Sequence, residues 1–401
     1  MMPPLDEAPT SAFLILIVQV FMLFCLFFAL LYNVAELTLF ALIILAMGLG
    51  ANVWSRASLN HVECKIVFNR TRLFPGERLK IYIRAINSKL LPLLFKVDFF
   101  APKAIVDSDA GQWISAETGL LWYQQYVFSR EFFPYKRGVY DLGPPMLRGG
   151  DLFGFFFRTK EIKDRFEIVV YPRIVNIRPI TLSKREFYGI PGTHSPVEDP
   201  VFVFGTRDYQ PGRPARRIHW KASARYNRLL EKLCEPAEQE KVLILLGVDQ
   251  FDNEPAKEDF ERSLEVIASL ILQMDPRRIA VGFATNGNIL GGGSRLIPIS
   301  RSPLQMASIL EILARVEVEK VGPLTDILTE GYKIPGGVSS IYFAYSRSSL
   351  IRSARAFLKN RNIPVRFVMA QKSNGVERAD DPPEKDTYYL DNILIPENRN
   401  R

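Results

Sequence analysis

The chain has few of the residues that metal sites and disulfide-bonded proteins require. Its 401 residues include three cysteines and three histidines. The cysteines are Cys25, Cys64 and Cys234, and the histidines are His61, His194 and His219. The cysteines are isolated from one another, which excludes a disulfide framework and a Cys-x-x-Cys metal pair. The scattered histidines likewise predict no cluster of metal ligands.

Common catalytic motifs are also absent from the sequence. It contains no Gly-x-x-x-x-Gly-Lys-Ser/Thr phosphate loop, and the segment Gly291–Ser294 lacks the lysine, so that it predicts a turn between strands. A Gly-x-Ser-x-Gly nucleophile elbow is not found either. His219 has no nucleophile or orienting acid at a fixed spacing. We therefore expect the protein not to be an enzyme.

Two long apolar runs lie at the start of the chain. Ala12–Leu31 is interrupted only by Gln19 and would span about 30 Å as a helix, enough to cross the hydrocarbon core of a bilayer. Leu37–Trp54 would span about 27 Å. The short connection between the runs predicts a transmembrane helical hairpin over residues 1–56. A signal peptide is disfavoured, because the residues before the first run include Asp6 and Glu7 and no basic residue.

Basic residues flank the two runs unequally, and this predicts the orientation of the hairpin. No lysine or arginine precedes the first run. Those that follow the second run are Arg56, Lys65, Arg70, Arg72, Arg78 and Lys80. Because basic flanks stay in the cytoplasm, we expect a two-pass protein of the cell inner membrane with the bulk of the chain in the cytoplasm.

The part of the chain after the hairpin predicts two folded domains of different class. Residues 60–175 alternate apolar and polar side chains with a period of two, as in Arg78–Arg84 and Trp122–Arg130, which indicates an antiparallel β-sandwich. The aromatic run Phe153–Phe157 is typical of core or edge packing in such a domain. Residues 176–238 are interpreted as a linker region that carries a basic motif.

Residues 239–371 change to the pattern of a doubly wound α/β domain, which makes the whole an α+β multidomain protein. The predicted strands are Val242–Val248, Ile279–Ala284, Ile341–Ala344 and Val365–Met369. The predicted helices include Phe260–Ile271, Leu304–Leu313 and Leu350–Leu358. The polar residues 372–401 predict a mobile tail, apart from a short strand at Tyr388–Ile395.

A dense basic segment precedes the α/β domain. Between Arg207 and Lys232 the chain has eight lysines and arginines against two acids, Asp208 and Glu231, which is most of its net charge of +8. Pro214 suits the first turn of a helix that would extend to Arg228. In that helix Arg217, Lys221, Arg225 and Arg228 share one face, and Ile218, Ala222 and Trp220 face the protein.

Three interpretations of this segment remain open. Its arginines could stabilise a domain junction, dock an acidic patch of a protein partner, or bind anionic lipid or nucleic acid. Nucleic acid is the least expected ligand, because the basic charge has no aromatic platform or recognised fold beside it. The candidate partner-binding residues are Arg207, Asp208, Tyr209, Arg213, Arg216, Arg217, Trp220, Lys221 and Arg225.

After the two apolar runs the chain carries, in order, the motifs Arg137–Pro144, Asp151–Gly154, Arg207–Gly212, Arg217–Trp220 and Ala224–Arg225. Their order resembles the bacterial domain-of-unknown-function family 58. The resemblance covers residue 12 to about residue 370. It implies a C-terminal domain similar to a von Willebrand factor type A domain. It also implies a scaffold or adaptor that works with a MoxR-type AAA+ ATPase and a transglutaminase-like membrane protein.

The type A resemblance also raises the question of a metal. Such domains offer an Asp-x-Ser-x-Ser loop whose oxygens hold Mg²⁺. Here the loop reads Asp249, Gln250, Phe251, Asp252 and Asn253. Since both serines are replaced, we expect no cofactor. The alternative is a weak Mg²⁺ site at Asp249 and Asp252, which would make the protein a Mg²⁺-dependent ligand-binding module or hydrolase.

Overall fold

The computed structural model describes the chain in nine stretches. They are residues 8–106, 112–180, 198–210, 215–236, 240–252, 254–329, 334–346, 349–371 and 386–395. The chain divides into two compact units, Met1–Arg173 (unit 1) and Ile174–Arg401 (unit 2). Unit 1 contains two apolar helices and mainly antiparallel sheets, and unit 2 contains mixed helices and strands, so the expected α+β class is confirmed.

Unit 1 begins with the predicted pair of apolar helices, α1 (Ala8–Leu31) and α2 (Ala35–Ser58). Both are long and apolar enough to cross a membrane. They contact each other, and buried small residues line α2, where a Cβ atom at Gly48 would overlap the side-chain amide of Gln19. Small residues of this kind let two helices approach closely within lipid. We therefore describe α1 and α2 as a packed helical hairpin.

Three sheets that share one apolar core make up the rest of unit 1. The strands are β1 (Val62–Phe68), β2 (Arg72–Leu73), β3 (Leu79–Asn87), β4 (Leu93–Ala101), β5 (Gln112–Leu120), β6 (Gln125–Phe132), β7 (Gly138–Leu142), β8 (Met146–Gly150), β9 (Phe157–Glu161) and β10 (Phe166–Val170), and Lys103–Val106 forms a short helix, α3. The sheet orders are β1-β3-β6, β2-β10-β7 and β5-β4-β8-β9, and all their strand pairs are antiparallel except the parallel pair of β2 and β10. Alternate residues of β3, such as Leu79, Ile81 and Ile83, point into the core.

One predicted strand of unit 1 starts later than the sequence pattern suggests. The alternation from Trp122 predicts a strand, but β6 begins at Gln125. Tyr123 has a φ of 53°, which is a left-handed turn conformation, and its backbone N–H donates to the carbonyl of Lys89. Trp122 and Tyr123 therefore lie in a turn, where both side chains are exposed.

Asp151 fixes the loop between β8 and β9. It is fully buried, and its carboxylate accepts hydrogen bonds from the backbone N–H groups of Phe153 (2.9 Å), Phe155 (3.2 Å) and Phe156 (2.7 Å). The motif Asp151–Gly154 thus has a structural role. The aromatic run was interpreted as core or edge packing, and its ends lie at the edge, since Phe153 and Phe157 are 59% and 41% exposed.

We expect Asp151→Ala to lower the free energy of unfolding by about 2 kcal/mol, since three backbone donors lose a charged acceptor. Asp151→Asn should recover part of this loss, because its amide oxygen still accepts. Chemical unfolding of the solubilised full-length protein measures the change. Asp141→Ala is the control, since Asp141 is exposed on β7, and equal losses for the two alanine variants would contradict the assigned role.

Unit 2 contains an antiparallel ribbon, a six-stranded sheet and a second ribbon. Its strands are β11 (Glu198–Asp208), β12 (Leu230–Pro236), β13 (Lys241–Leu246), β14 (Ala280–Thr285), β15 (Gly287–Ile289), β16 (Leu296–Ser300), β17 (Val316–Lys320), β18 (Val338–Ala344), β19 (Val365–Met369) and β20 (Thr387–Tyr389). The ribbons pair β11 with β12 and β15 with β17. The sheet order is β16-β14-β13-β18-β19-β20, with only β16 antiparallel to its neighbour. All four predicted strands belong to this sheet.

Helices cover both faces of the six-stranded sheet. They are α4 (Trp220–Tyr226, on the first ribbon), α5 (Glu254–Met274), α6 (Gln305–Arg315), α7 (Leu324–Thr329), α8 (Ser349–Asn360) and α9 (Leu390–Ile393). Leu243 and Leu245 of β13 pack in one cluster with residues of α7 and α8. The alternate residues Val242 and Ile244 are fully buried on the opposite face, which α5 and α6 cover.

One expectation for unit 2 is corrected, and another is confirmed in part. The segment interpreted as a linker contains the β11–β12 ribbon, with a bulged register near Val203. The short strand expected within the tail at Tyr388–Ile395 is confirmed at its start, where β20 pairs with β19, but the chain then continues as the helix α9. Burial of Leu390 and Ile393 holds this segment in unit 2.

Candidate functional site

The first basic residue of the motif forms an ion pair inside the β11–β12 ribbon. Arg207 lies opposite Glu231 in the register, and its guanidinium Nε contacts the carboxylate Oε1 of Glu231, whose side chain is 1% exposed. The neighbouring pair joins Arg228 to Asp208 at 3.2 Å, and both of those side chains are well exposed. Arg207 and Asp208 therefore stabilise the ribbon, and their charges are already matched within it.

The helix predicted from Pro214 to Arg228 is not continuous. Within the described residues it consists of a 3₁₀ turn, Ala215–Arg217, followed by α4 (Trp220–Tyr226). Ile218 between them is buried and bridges to Glu231, which pulls the backbone out of the helical path. His219 starts α4 anew, because its Nδ1 accepts a hydrogen bond from the N–H of Ala222 at 3.2 Å. A tertiary contact thus overrides the local helical pattern, and His219 has a structural role at the start of α4.

One side of α4 is fastened to β12. Ser223 is buried, and its hydroxyl Oγ accepts a hydrogen bond from the N–H of Leu230 at 2.9 Å. The N–H of His219 donates to the carbonyl of Leu230 at 2.8 Å. Asn227, with a φ of 49°, then ends the helix in a left-handed turn. These contacts fix the orientation of a helix that is too short to be stable alone.

Aromatic and basic side chains elsewhere on α4 are exposed to solvent. Trp220 is 66% exposed, which corrects the expectation that it faces the protein, and Tyr226 is 61% exposed. Together with the exposed cations beside them they form a surface that we call the α4 surface. Its members are Trp220, Lys221, Arg225, Tyr226 and Arg228. Basic side chains and large aromatic rings are therefore exposed together on a helix whose orientation is fixed.

The candidate partner-binding residues divide into distinct groups. Arg207 and Asp208 are paired inside the ribbon, whereas Trp220, Lys221 and Arg225 belong to the α4 surface. The remaining candidates are Tyr209 and Arg217, which are half-buried, Arg216, which lies in the 3₁₀ turn, and Arg213, which lies outside the described residues. Tyr226 was not predicted from the sequence as a binding residue. It is the last residue of α4, and its side chain is exposed.

A second candidate site lies where the strand order of the sheet reverses. In open α/β sheets, ligands bind outside the carboxyl ends of the strands at such a point. Asp249 follows β13 there, and its Oδ1 lies 2.6 Å from the ammonium Nζ of Lys320, while its Oδ2 accepts from Asn286 at 3.0 Å. The Oδ1 of Asn286 in turn accepts the N–H of Val248 at 2.9 Å. Asp249 is thus held by a cation and an amide.

Neighbouring side chains fill the crevice beside Asp249. Gln250 has a φ of 75°, and its Oε1 accepts from the hydroxyl of Ser346, which follows β18, at 3.0 Å. Tyr342 is 2% exposed, and burial, with a smaller contribution from the charge of Asp249, raises the pKa of its phenol well above the usual range. A Cβ atom at Gly247 would lie 2.6 Å from the Tyr342 hydroxyl. The crevice is therefore lined by a neutral phenol and by polar side chains that are hydrogen-bonded to one another.

The described residues do not fit a magnesium site at this loop. Phe251, which replaces the first serine of the type A pattern, is fully buried and packs edge-to-face on Phe260 and Tyr345, with ring centroids 5.5 and 5.4 Å away. The carboxylate of Asp249, which Mg²⁺ would need as a ligand, is paired with the ammonium of Lys320. Asp252 is exposed, and Asn253 lies outside the described residues. No group of three or more histidine, cysteine or acidic side chains in the described part could hold a metal.

Comparison with known proteins gives one curated relative and weak structural matches. No family model matches the chain. It is 22% identical over 261 residues to "Uncharacterized protein YeaD" of Bacillus subtilis (strain 168), which covers 64% of this chain and 63% of that protein. Among solved structures, the CARDB domain of the Pyrococcus furiosus protein PF1109 matches 27% of this chain and 91% of its own length, at 11% identity and a TM-score of 0.19. The sporulation control protein Spo0M of Bacillus subtilis matches 28% of this chain and 49% of its own, at 13% identity and a TM-score of 0.16. TM-scores this low carry no argument about the fold.

Proposed function

We propose that the protein is a membrane-anchored scaffold or adaptor that binds a protein partner through the α4 surface. The main observation behind this proposal is that Trp220 and Tyr226 are exposed beside basic side chains of α4. Ser223 binds this helix to β12 and so fixes its orientation. Tryptophan, tyrosine and arginine supply most of the energy at protein interfaces. Since Lys221 and Arg225 of this surface are exposed cations, they favour a partner with an acidic patch.

The anchor and the partner class complete this proposal. The helices α1 and α2 hold the protein in the inner membrane, and the basic flank after α2 keeps the bulk of the chain in the cytoplasm. We assign the chain to the domain-of-unknown-function family 58, with a type A-like sheet in unit 2. The reversal of strand order beside Asp249 supports such a sheet. From that resemblance the partner is a MoxR-type AAA+ ATPase, with a transglutaminase-like membrane protein in the same assembly.

The alternative, a Mg²⁺-dependent ligand-binding module or hydrolase, has less support. It requires Asp249 to be available to a cation, and the carboxylate of Asp249 is already paired with Lys320. Binding of Mg²⁺ would therefore have to displace the ammonium of Lys320 from this carboxylate. The adaptor proposal therefore accounts better for the residues at both candidate sites.

An in-cell crosslink followed by affinity purification tests the adaptor proposal. The full-length protein is compared with a triple variant, Trp220→Ser/Lys221→Glu/Arg225→Glu. We expect the wild type to recover an AAA+ ATPase and the variant to lose at least about tenfold of it, because one lost hot spot costs about 2 kcal/mol.

A charge-reversed variant elsewhere on unit 2 serves as the control. Arg277→Glu/Lys359→Glu changes two exposed cations outside the α4 surface and should keep the partner. Thermal unfolding establishes that all variants fold. Equal recovery of the ATPase with wild type and triple variant would refute the α4 surface as the contact, and recovery of no specific partner would refute the adaptor proposal.

A further inference from the structure

Helix α2 runs directly into one end of the sandwich of unit 1. The indole Nε1 of Trp54 donates to the carbonyl of Pro92 at 2.7 Å. The ammonium of Lys89 donates to the carbonyls at the end of α2, those of Ala57 (2.5 Å), Ser58 and Asn60 (2.7 Å). Cations commonly satisfy the last carbonyls of a helix in this way. The end of α2 is therefore tied to the loop that contains Lys89 and Pro92.

Three loops of the sandwich meet at this end. They are residues 88–92 before β4, residues 121–124 between β5 and β6, and residues 151–156 between β8 and β9. The register places them together, because Leu93 lies opposite Leu120 and Leu94 lies opposite Gly150. A Cβ atom at Gly149 would lie 2.5 Å from Leu59, directly after α2. All three loops therefore surround the end of α2.

The tips of these loops carry large apolar side chains that are exposed. We call them the apolar collar: Leu90 (72% exposed), Leu121 (46%), Trp122 (58%), Tyr123 (66%), Leu152 (41%) and Phe153 (59%). Apolar side chains grouped on a surface mark a contact with another apolar phase or partner. The loops that carry them are fixed by buried polar groups. Asn87 donates to the carbonyls of Leu91 and Leu121, and Asp151 binds its own loop.

We propose that the apolar collar lies in the headgroup layer of the bilayer that α2 leaves, so that the sandwich is seated on the membrane. This inference rests on the proposed membrane anchor. Only three residues, Leu59, Asn60 and His61, separate α2 from β1, so the collar cannot move away from the bilayer surface. Tryptophan and tyrosine prefer this interface, and Arg56, exposed in the last turn of α2, can reach phosphate groups there. A protein partner could cover the apolar collar only by inserting between the collar and the lipid, so the bilayer is the expected occupant.

The depth of single fluorescent labels in a vesicle tests this proposal. Full-length protein with its three native cysteines replaced by alanine is labelled with an environment-sensitive nitrobenzoxadiazole dye at one new cysteine. It is reconstituted into vesicles of phosphatidylethanolamine and phosphatidylglycerol. We expect the label of Trp122→Cys to be quenched by lipids with a nitroxide near the headgroup at least about threefold more than the label of Tyr135→Cys. Tyr135 is a matched control, being 62% exposed beyond the far end of β6, about 24 Å along the strand.

Two further labels make each outcome decisive. Phe153→Cys probes a second collar loop and should behave like Trp122→Cys, which guards against a local folding defect in one variant. Phe21→Cys, in the middle of α1, should be quenched most by a nitroxide deep in the acyl chains. If position 21 is buried in lipid while positions 122 and 153 match position 135, the seated sandwich is refuted and the anchor stands. If position 21 is not in lipid, both proposals are refuted.

Discussion

Replacement of Phe251 by serine is expected to lower the free energy of unfolding by about 4 kcal/mol, as large-to-small changes of buried phenylalanines do. The ring is fully buried between Phe260 and Tyr345, so serine leaves a cavity and an unsatisfied hydroxyl. Chemical unfolding of the solubilised full-length protein, followed by a probe of unit 2, measures the loss. This change also introduces the first serine of the type A metal loop.

Calorimetry with Mg²⁺ separates the two consequences of that variant. We expect no saturable heat from Phe251→Ser or from the wild type, because Lys320 keeps the carboxylate of Asp249. Leu304→Ser is the control for stability, since Leu304 is 72% exposed and should cost no more than about 0.5 kcal/mol. A stable Phe251→Ser variant that binds Mg²⁺ would show instead that the loop needs only its serine to become a metal site.

Arg207→Met is expected to destabilise the protein by about 3 kcal/mol. Methionine keeps the apolar length of the side chain but leaves the carboxylate of Glu231, which is almost fully buried, without its guanidinium. Removing one partner of a buried ion pair commonly costs about 3–5 kcal/mol. The loss should appear as faster amide hydrogen exchange in β11 and β12 as well as in global unfolding.

The neighbouring ion pair supplies a matched control for that change. Arg228→Met breaks the pair with Asp208, whose side chains are 62% and 70% exposed, and should cost no more than about 1 kcal/mol. Both variants remove one positive charge from the same ribbon, so net charge is held constant between them. Similar losses in the free energy of unfolding for the two variants would mean that contacts other than Arg207 stabilise the buried carboxylate of Glu231.

The apolar helices and the central strands could be predicted from the sequence because their signals are local. The run Val242–Val248 has no polar residue, and a strand buried on both faces requires this, as the burial of β13 shows. The predicted and observed bounds of β19 are also identical, although this strand contains Arg366. In segments such as β13 the apolar composition alone is enough to predict a buried strand.

The candidate sites depend on contacts between distant parts of the chain. Asn286 reaches Asp249 across 37 residues, and no spacing in the sequence marks that pair. The pattern from Pro214 favours a helix, but the bridge between Ile218 and Glu231 interrupts it and turns Trp220 outward. The strand predicted near the end of the tail stops at Tyr389 for a similar reason, since Leu390 and Ile393 are buried in the folded unit as part of the helix α9. Tertiary packing, which the local pattern does not contain, decided each of these cases.

The direct passage from α2 into the sandwich also affects how unit 1 meets other molecules. With Trp54 and Lys89 bonded across the junction, the hairpin and the sandwich would rotate as one body in the bilayer of the proposed anchor. A second protein embedded in the same membrane would meet its surfaces at a constant height and in few orientations. Its search is then two-dimensional, and the effective concentration depends on membrane area instead of cell volume. Under these conditions, contacts of low intrinsic affinity are sufficient for a lasting assembly.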